Sequence, residues 1–179
     1  KMEIKNKKIE SDISFEDYRK KVLKDYELIV LSRQTSLLGR REVLTGKGKF
    51  GIFGDGKELP QIAMNHFFKD GDYRSGYYRD QTLLMAHGHL TPKNHFAGLY
   101  AHVDINHEPM SAGRQMVGHF SSQLIDDTGE WLDQTKMKNH ISDVSSTGTQ
   151  MSRLVGLAQA SKIYRKLDIK TFKKFSKNG

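Results

Sequence analysis

Apolar residues recur close to helical spacing early in the chain, at Phe15, Tyr18, Val22, Tyr26, Ile29, Leu37 and Leu38. Ser14, with Asp17 three residues on, suits a helix cap, while Arg40, Arg41 and Gly46 suit its end. The pattern predicts one long helix that packs this apolar stripe on a core. Glycines 48, 51, 54 and 56 then punctuate Phe50 and Phe53, a loop where the backbone turns or approaches something closely. A short helix follows from about Lys57, because Pro60 is tolerated in a first turn, with Ile62, Ala63, Phe67 and Phe68 as its buried face.

After the turn at Asp70-Gly71-Asp72, the tyrosine-rich run from Tyr73 to Tyr78 reads as extended chain. Asp80 suits the cap of a helix through Leu83, Leu84 and Met85. Thr91-Pro92 opens another, with Phe96, Leu99 and Tyr100 inward. From His107 to Val144 regular patterning fades, as it does in loops that serve a site or an interface. The run Ser145 to Gln150 precedes a last helix carrying Leu154, Val155, Leu157, Ala158 and Ile163. Small residues at 156 and 160 suit close helix packing.

Composition narrows the class. The 179 residues suit one domain with appendages, 36% hydrophobic and 28% charged. No apolar run of about 18 residues exists, so a membrane span is not expected. The start KMEIKNKKIESDIS lacks the apolar stretch of a secretory signal. With 0 cysteines there is no disulfide, thiolate nucleophile or cysteine-bound zinc, and a reducing, cytoplasmic setting fits. The net charge of +8 invites a nucleic-acid reading. However, Lys162, Arg165, Lys166, Lys170, Lys173, Lys174 and Lys177 against Asp168 leave the remaining body nearly neutral. No nucleic-acid partner is expected.

Candidate chemistry is sparse on local grounds. Eight histidines form no HExxH motif, and His87-x-His89 is a weak metal pair. No GxSxG elbow marks a hydrolase. Arg79, just before a helix start, suits either a phosphate contact or a surface ion pair. The Ser145–Gln150 run could bind an anion, bind a cation through its oxygens, or cap the helix.

Three stretches carry a resemblance: YRDQTLLMAHG, FAGLYAHVDINHEPMSAGRQMVGHF and SSTGTQMSRLVGLAQASK. Together they resemble the thiamine diphosphate-dependent decarboxylating component of 2-oxo acid dehydrogenase complexes. The likeness is to the α-subunit half of the branched-chain type, as found in fused α/β chains, and runs from roughly Ile29 to Tyr164. It implies an α/β, three-layer αβα cofactor-binding fold around a largely parallel sheet. It divides the chain into an extension over 1–13, an incomplete cofactor-binding domain over 14–166 and a basic tail over 167–179.

The reaction so implied is oxidative decarboxylation of a branched-chain 2-oxo acid, with acyl transfer to a lipoyl group on the acyltransferase component. By position, Tyr78 and Arg79 match the pair at the cofactor diphosphate, and Ser145 and Thr147 the segment at the aminopyrimidine. Thr149 and Gln150 match residues that help hold a potassium ion. Phe50 and His119 fall at the substrate pocket, with Arg114 near its entrance. The family's Mg²⁺ motif, Gly-Asp-Gly then Asn, lies downstream of the last matching helix; Gly54-Asp55-Gly56 precedes the Tyr-Arg pair and is not that motif. At Ser146 and Thr147 the relatives commonly carry Pro and Leu. No residue here matches a catalytic role, so this chain alone is expected to be inactive. A β-like half and a homo-oligomer are the expected partners. The rival readings are a non-catalytic assembly module on the same scaffold and a basic nucleic-acid binder.

Overall fold

A computed structural model describes residues 13–167 and 173–177. The expected extension before Ile13 and most of the basic tail lie outside the described residues. The first helix, α1 (Phe15–Leu44), starts as the capping pattern predicts: Asp17 N–H donates to Ser14 Oγ at 3.1 Å, and Ser14 Oγ donates to the Asp17 carboxylate at 2.7 Å. Its packing differs from expectation. Phe15 and Tyr26 of the apolar stripe are 79% and 63% exposed, whereas Ser32, Thr35, Ser36 and Gly39 are buried. Small side chains let α1 lie close to its neighbours, and hydroxyl pairing removes the cost of burying them. Ser32 pairs with Thr82 at 2.6 Å, Gln81 Nε2 donates to Ser36 Oγ at 2.6 Å, and Phe53 packs against Gly39.

The second helix, α2 (Glu58–Asn65), buries Ile62 as expected but leaves Ala63 and Phe67 exposed. Its first residue, Glu58, is buried as a carboxylate because Arg33 grips it with two bonds of 2.6 and 2.7 Å. The extended run becomes β1 (Tyr73–Tyr77). The unpatterned segment contains its partner, β2 (Asn139–Val144), which pairs with β1 in parallel. A parallel pair needs a long crossover. Here the crossover carries α3 (Gln81–Ala86) and α4 (Pro92–Leu99), with Thr91 Oγ1 capping α4 through Asn94 N–H. Finally α5 (Thr149–Lys166) packs on both strands.

The result mixes helices with a small parallel sheet, compatible with the α/β class. Leu84, Met85 and Leu90 form the apolar core, with Leu28, Met110 and Phe120 against it. On α5, Ala160 faces Tyr73 and Phe175 within the chain, while Gly156 opens to solvent.

Arg74 of β1 is the hub beside that core. Its guanidinium contacts Asp80 at 2.8 Å and Asp143 of β2 at 2.8 Å, and Nη1 donates to His140 Nδ1 at 3.3 Å. The Asp143 contact is an ion pair by distance whose alignment falls short of a hydrogen bond. Asp80 was expected to cap α3, but its carboxylate takes Arg74 and the Tyr77 N–H instead. An Arg can only donate, so His140 Nδ1 is the acceptor and its Nε2–H faces His87 Nδ1 at 3.0 Å. A Cβ on Gly76 would sit 1.8 Å from the Arg74 guanidinium. Glycine there is what lets the side chain curl back.

Burial, with the Arg74 charge beside it, pushes the His140 imidazole down to about 2. Burial also takes His87 down to about 4. Both are neutral in the fold. The unfolded chain gains protons as pH falls through roughly 6.5 while the folded one does not, so stability is full above that value and lost toward pH 4. Each histidine should cost about 1.4 kcal/mol per pH unit in that window. Urea midpoints at pH 7.5 and 5.0 check this: the wild-type midpoint should drop on acidification, and His140→Gln should flatten the drop.

Candidate active-site cleft

Tyr77 pairs with Val144 as the last register position of the parallel strands. Tyr78 and Ser145 are therefore the first residues beyond the strands' carboxyl ends, where α/β sheets commonly place their ligands. The glycine-punctuated segment adds Phe50 and Ile52, and the long loop adds Met116, Val117 and His119. These residues line an open cleft of about 490 Å³. A smaller cavity of about 50 Å³, among Phe53, Leu84, Leu90, His95 and Leu99, shares Phe50, Tyr78 and Asp143 with it. Gly51 admits the Phe53 ring, since a Cβ there would lie 2.5 Å from it.

The long loop is held by a buried carboxylate that the sequence pattern did not reveal. Glu108 Oε2 accepts from Ser111 N–H at 2.8 Å, Ser111 Oγ at 2.7 Å and Gly113 N–H at 3.0 Å; Oε1 accepts from Met110 N–H at 3.0 Å. Burial pushes this carboxyl up, but the donors of Gly113, Ser111 and Met110 prevail and hold it below the usual range. The chain of bonds continues: Gln115 N–H donates to Ser111 Oγ at 3.1 Å, and His119 N–H to Gln115 Oε1 at 3.2 Å. His119 Nδ1–H then donates to the Val117 carbonyl at 2.7 Å. That fixes the tautomer, so Nε2 accepts the Ser145 hydroxyl.

Four site candidates thus meet in one cleft: Phe50, Tyr78, His119 and Ser145. Thr147 joins through hydroxyls, its Oγ1 lying 3.0 Å from Tyr77 Oη, which donates to Tyr78 Oη at 2.5 Å. Thr147, then Tyr78, draw the Tyr77 phenol down, whereas the Tyr77 contact holds Tyr78 up. Arg79 is turned toward its own chain, with Nη1 3.3 Å from the Phe53 carbonyl and Cζ 5.7 Å from the Tyr78 ring centre. The helix behind it has only 6 residues, too short to support the helix-end anion argument.

The capping alternative for the Ser145 run fails as well. Gly148, at φ 92°, takes the cap position of α5 without a side-chain bond. Thr149 and Gln150 form the first turn of α5, and Gln150 Oε1 accepts from Gly148 N–H at 3.1 Å. Arg114 lines an adjoining pocket with Lys47, Lys49 and Tyr100, which shares Phe50, Gln115 and Met116 with the cleft. Asp55, in the glycine segment, is paired with Arg40 at 2.6 Å. Among the described residues no group of three or more His, Asp or Glu side chains could hold a metal ion. No helix there is long and apolar enough to cross a membrane.

No family model matches the chain. It is similar to the 2-oxoisovalerate dehydrogenase subunit alpha of Bacillus subtilis (strain 168), 32% identical over 156 residues. The match covers 84% of this chain and 40% of that relative. This supports a distant relationship to the 2-oxo acid dehydrogenases. The chain spans less than half the length of that relative.

Glu108→Gln should loosen the loop, since the amide turns one acceptor into a donor facing N–H groups. A buried donor left unsatisfied costs about 1–3 kcal/mol. Hydrogen exchange at Ser111, Gly113, Gln115 and His119 should accelerate about tenfold or more, with α3 unchanged. Uniform acceleration across the chain would instead mean that Glu108 supports the whole fold.

Proposed function

We propose that the chain is the α-subunit-like, N-terminal part of a 2-oxo acid dehydrogenase decarboxylating component. The observation that carries this reading is the meeting of Phe50, Tyr78, His119 and Ser145, from four separate segments, in one cleft. Tyr78, His119 and Ser145 belong to the three stretches through which the chain resembles that family, and Phe50 lies within the wider span of the resemblance. A volume of about 490 Å³ falls in the range of small-molecule and cofactor sites.

The residues fit thiamine diphosphate. Hydroxyls and an imidazole stand at one end, from Tyr78, Ser145 and His119, while Phe50, Ile52, Met116 and Val117 give an apolar wall. The one acid in the lining, Asp143, is offset by Arg74 at 2.8 Å, so a diphosphate meets no uncompensated negative charge. Tyr78 would hold the diphosphate, joined by Arg79 once its guanidinium turns from the Phe53 carbonyl into the cleft, and Ser145 and Thr147 would hold the aminopyrimidine. Thr149 and Gln150 would contribute to a potassium site, and the Mg²⁺ ligands are assigned outside this chain. When bound, the cofactor supplies the carbanion and electron sink that decarboxylation requires. The chain's own part is to orient it, with His119 fixing the Ser145 hydroxyl and the apolar wall excluding water.

The apolar wall suits the side chain of a branched 2-oxo acid. A β-like half, the lipoyl acyltransferase component and further copies of the chain complete the assembly, in the cytoplasm. A cofactor-binding domain over 14–166 is the corresponding unit.

Arg79→Ala tests the cofactor reading. Losing a charge-assisted bond to a phosphate costs about 1.5–3 kcal/mol. By calorimetric titration, the affinity for thiamine diphosphate should fall about tenfold or more, and the affinity for unphosphorylated thiamine little. Equal loss for both ligands would make Arg79 a structural residue that supports the Phe53 carbonyl.

A further inference from the structure

The Ser145–His119 couple does something that holding a cofactor does not require. We propose that Ser145 is an activated serine nucleophile with His119 as its general base, reactive toward small esters that carry an apolar acyl group. The hydrogen-bond directions are those of a nucleophile and base. The Val117 carbonyl holds the proton of Nδ1 at 2.7 Å, which leaves the Nε2 lone pair for the Ser145 hydroxyl. The carbonyl thereby plays the orienting part that a third group plays in such sites, and can stabilise the imidazolium that forms.

Access and surroundings agree with this. Ser145 is exposed at the rim of the 490 Å³ cleft, and Phe50, Ile52, Met116 and Val117 offer a short acyl chain an apolar wall. Tyr78 lines the same cleft, with its ring centre 6.2 Å from that of His119. The Tyr78 hydroxyl shares a 2.5 Å contact with Tyr77 Oη, and with Tyr77 as the donor the Tyr78 proton is free to point at an oxygen in the cleft. That proton is the donor available to a developing oxyanion.

The step balances without a cofactor. Ser145 Oγ bonds to the ester carbonyl carbon while its proton moves to His119 Nε2. The carbon–oxygen bond to the alcohol breaks, and the departing oxygen takes the proton from His119. Water, deprotonated by the same imidazole, then hydrolyses the acyl-serine and restores both residues.

A plain Ser–His hydrogen bond that only latches the long loop to the end of β2 is the competing account. The whole 179-residue chain, free of cofactor, is treated with a fluorophosphonate probe and the adduct located by mass spectrometry. Modification at Ser145 is expected, abolished in Ser145→Ala and slowed about 100-fold in His119→Ala, the lower end of what a positioned base contributes. His119→Gln guards against a merely unfolded loop, because its amide oxygen can still accept the Ser145 hydroxyl but cannot take a proton. It should keep the wild-type melting temperature and react as slowly as the alanine variant. No adduct at Ser145 in the wild-type chain, or wild-type speed in His119→Gln, overturns the proposal. The experiment contains no thiamine diphosphate, so its outcome and that of the Arg79 titration can fail separately.

Discussion

The arrangement depends on one buried charge. Arg74 is 6% exposed and lies where β1, the start of α3 and β2 meet. A guanidinium there is tolerable only because Asp80 and Asp143 supply opposite charge and His140 and the Tyr77 carbonyl accept its remaining protons. Removing one partner would leave an uncompensated charge in a small core, at a cost of about 3–5 kcal/mol. The same hub sets the register of the parallel pair, since Arg74 lies opposite His140. Register in turn fixes which residues emerge at the carboxyl ends. Tyr78 and Ser145 are neighbours because Tyr77 and Val144 are.

A second constraint acts through the long loop. Without regular structure, that segment could place His119 anywhere within reach. The Glu108 carboxylate instead gathers four donors and begins the succession through Ser111 and Gln115 to His119. The loop is thereby tied at both ends: by Glu108 near the core, and by Phe120, whose N–H donates to Asp143 at 3.1 Å. Asp143 also pairs with Arg74, so the loop and the strand hub share a carboxylate. Burial pushes that carboxyl up against the pull of Arg74. The cleft wall and the sheet are therefore coupled.

Outside this centre the chain keeps much apolar surface. Phe15, Tyr18, Val22 and Tyr26 on α1, and Met151, Leu154 and Val155 on α5, are exposed. Surface of that kind accords with the additional chains proposed as partners. The centre is built differently. Around α1 it packs through hydroxyls and glycine rather than through the large side chains that dominate the helix sequence.

The sequence by itself determined the local elements. Ser14, Thr91, Pro60 and the glycines act on their own backbone neighbours, so α1, α2, β1 and α4 were legible, and the resemblance named Phe50, Tyr78, His119 and Ser145 but not Ile52 or Asp143 of the cleft. It did not determine which face of α1 is buried, because that depends on what packs there: Gln81, Thr82 and Phe53 seek hydroxyls and space, and Ser32, Ser36 and Gly39 provide them. Nor did it reveal β2, whose Asn139, His140 and Asp143 are polar and stay inside with the help of Asp72 and Arg74, more than sixty residues away. The roles of Arg74, Asp80 and Glu108 were hidden for the same reason. A charged side chain looks like surface until the structure supplies its counter-charge and donors, and those come from pairings that only the folded chain brings together.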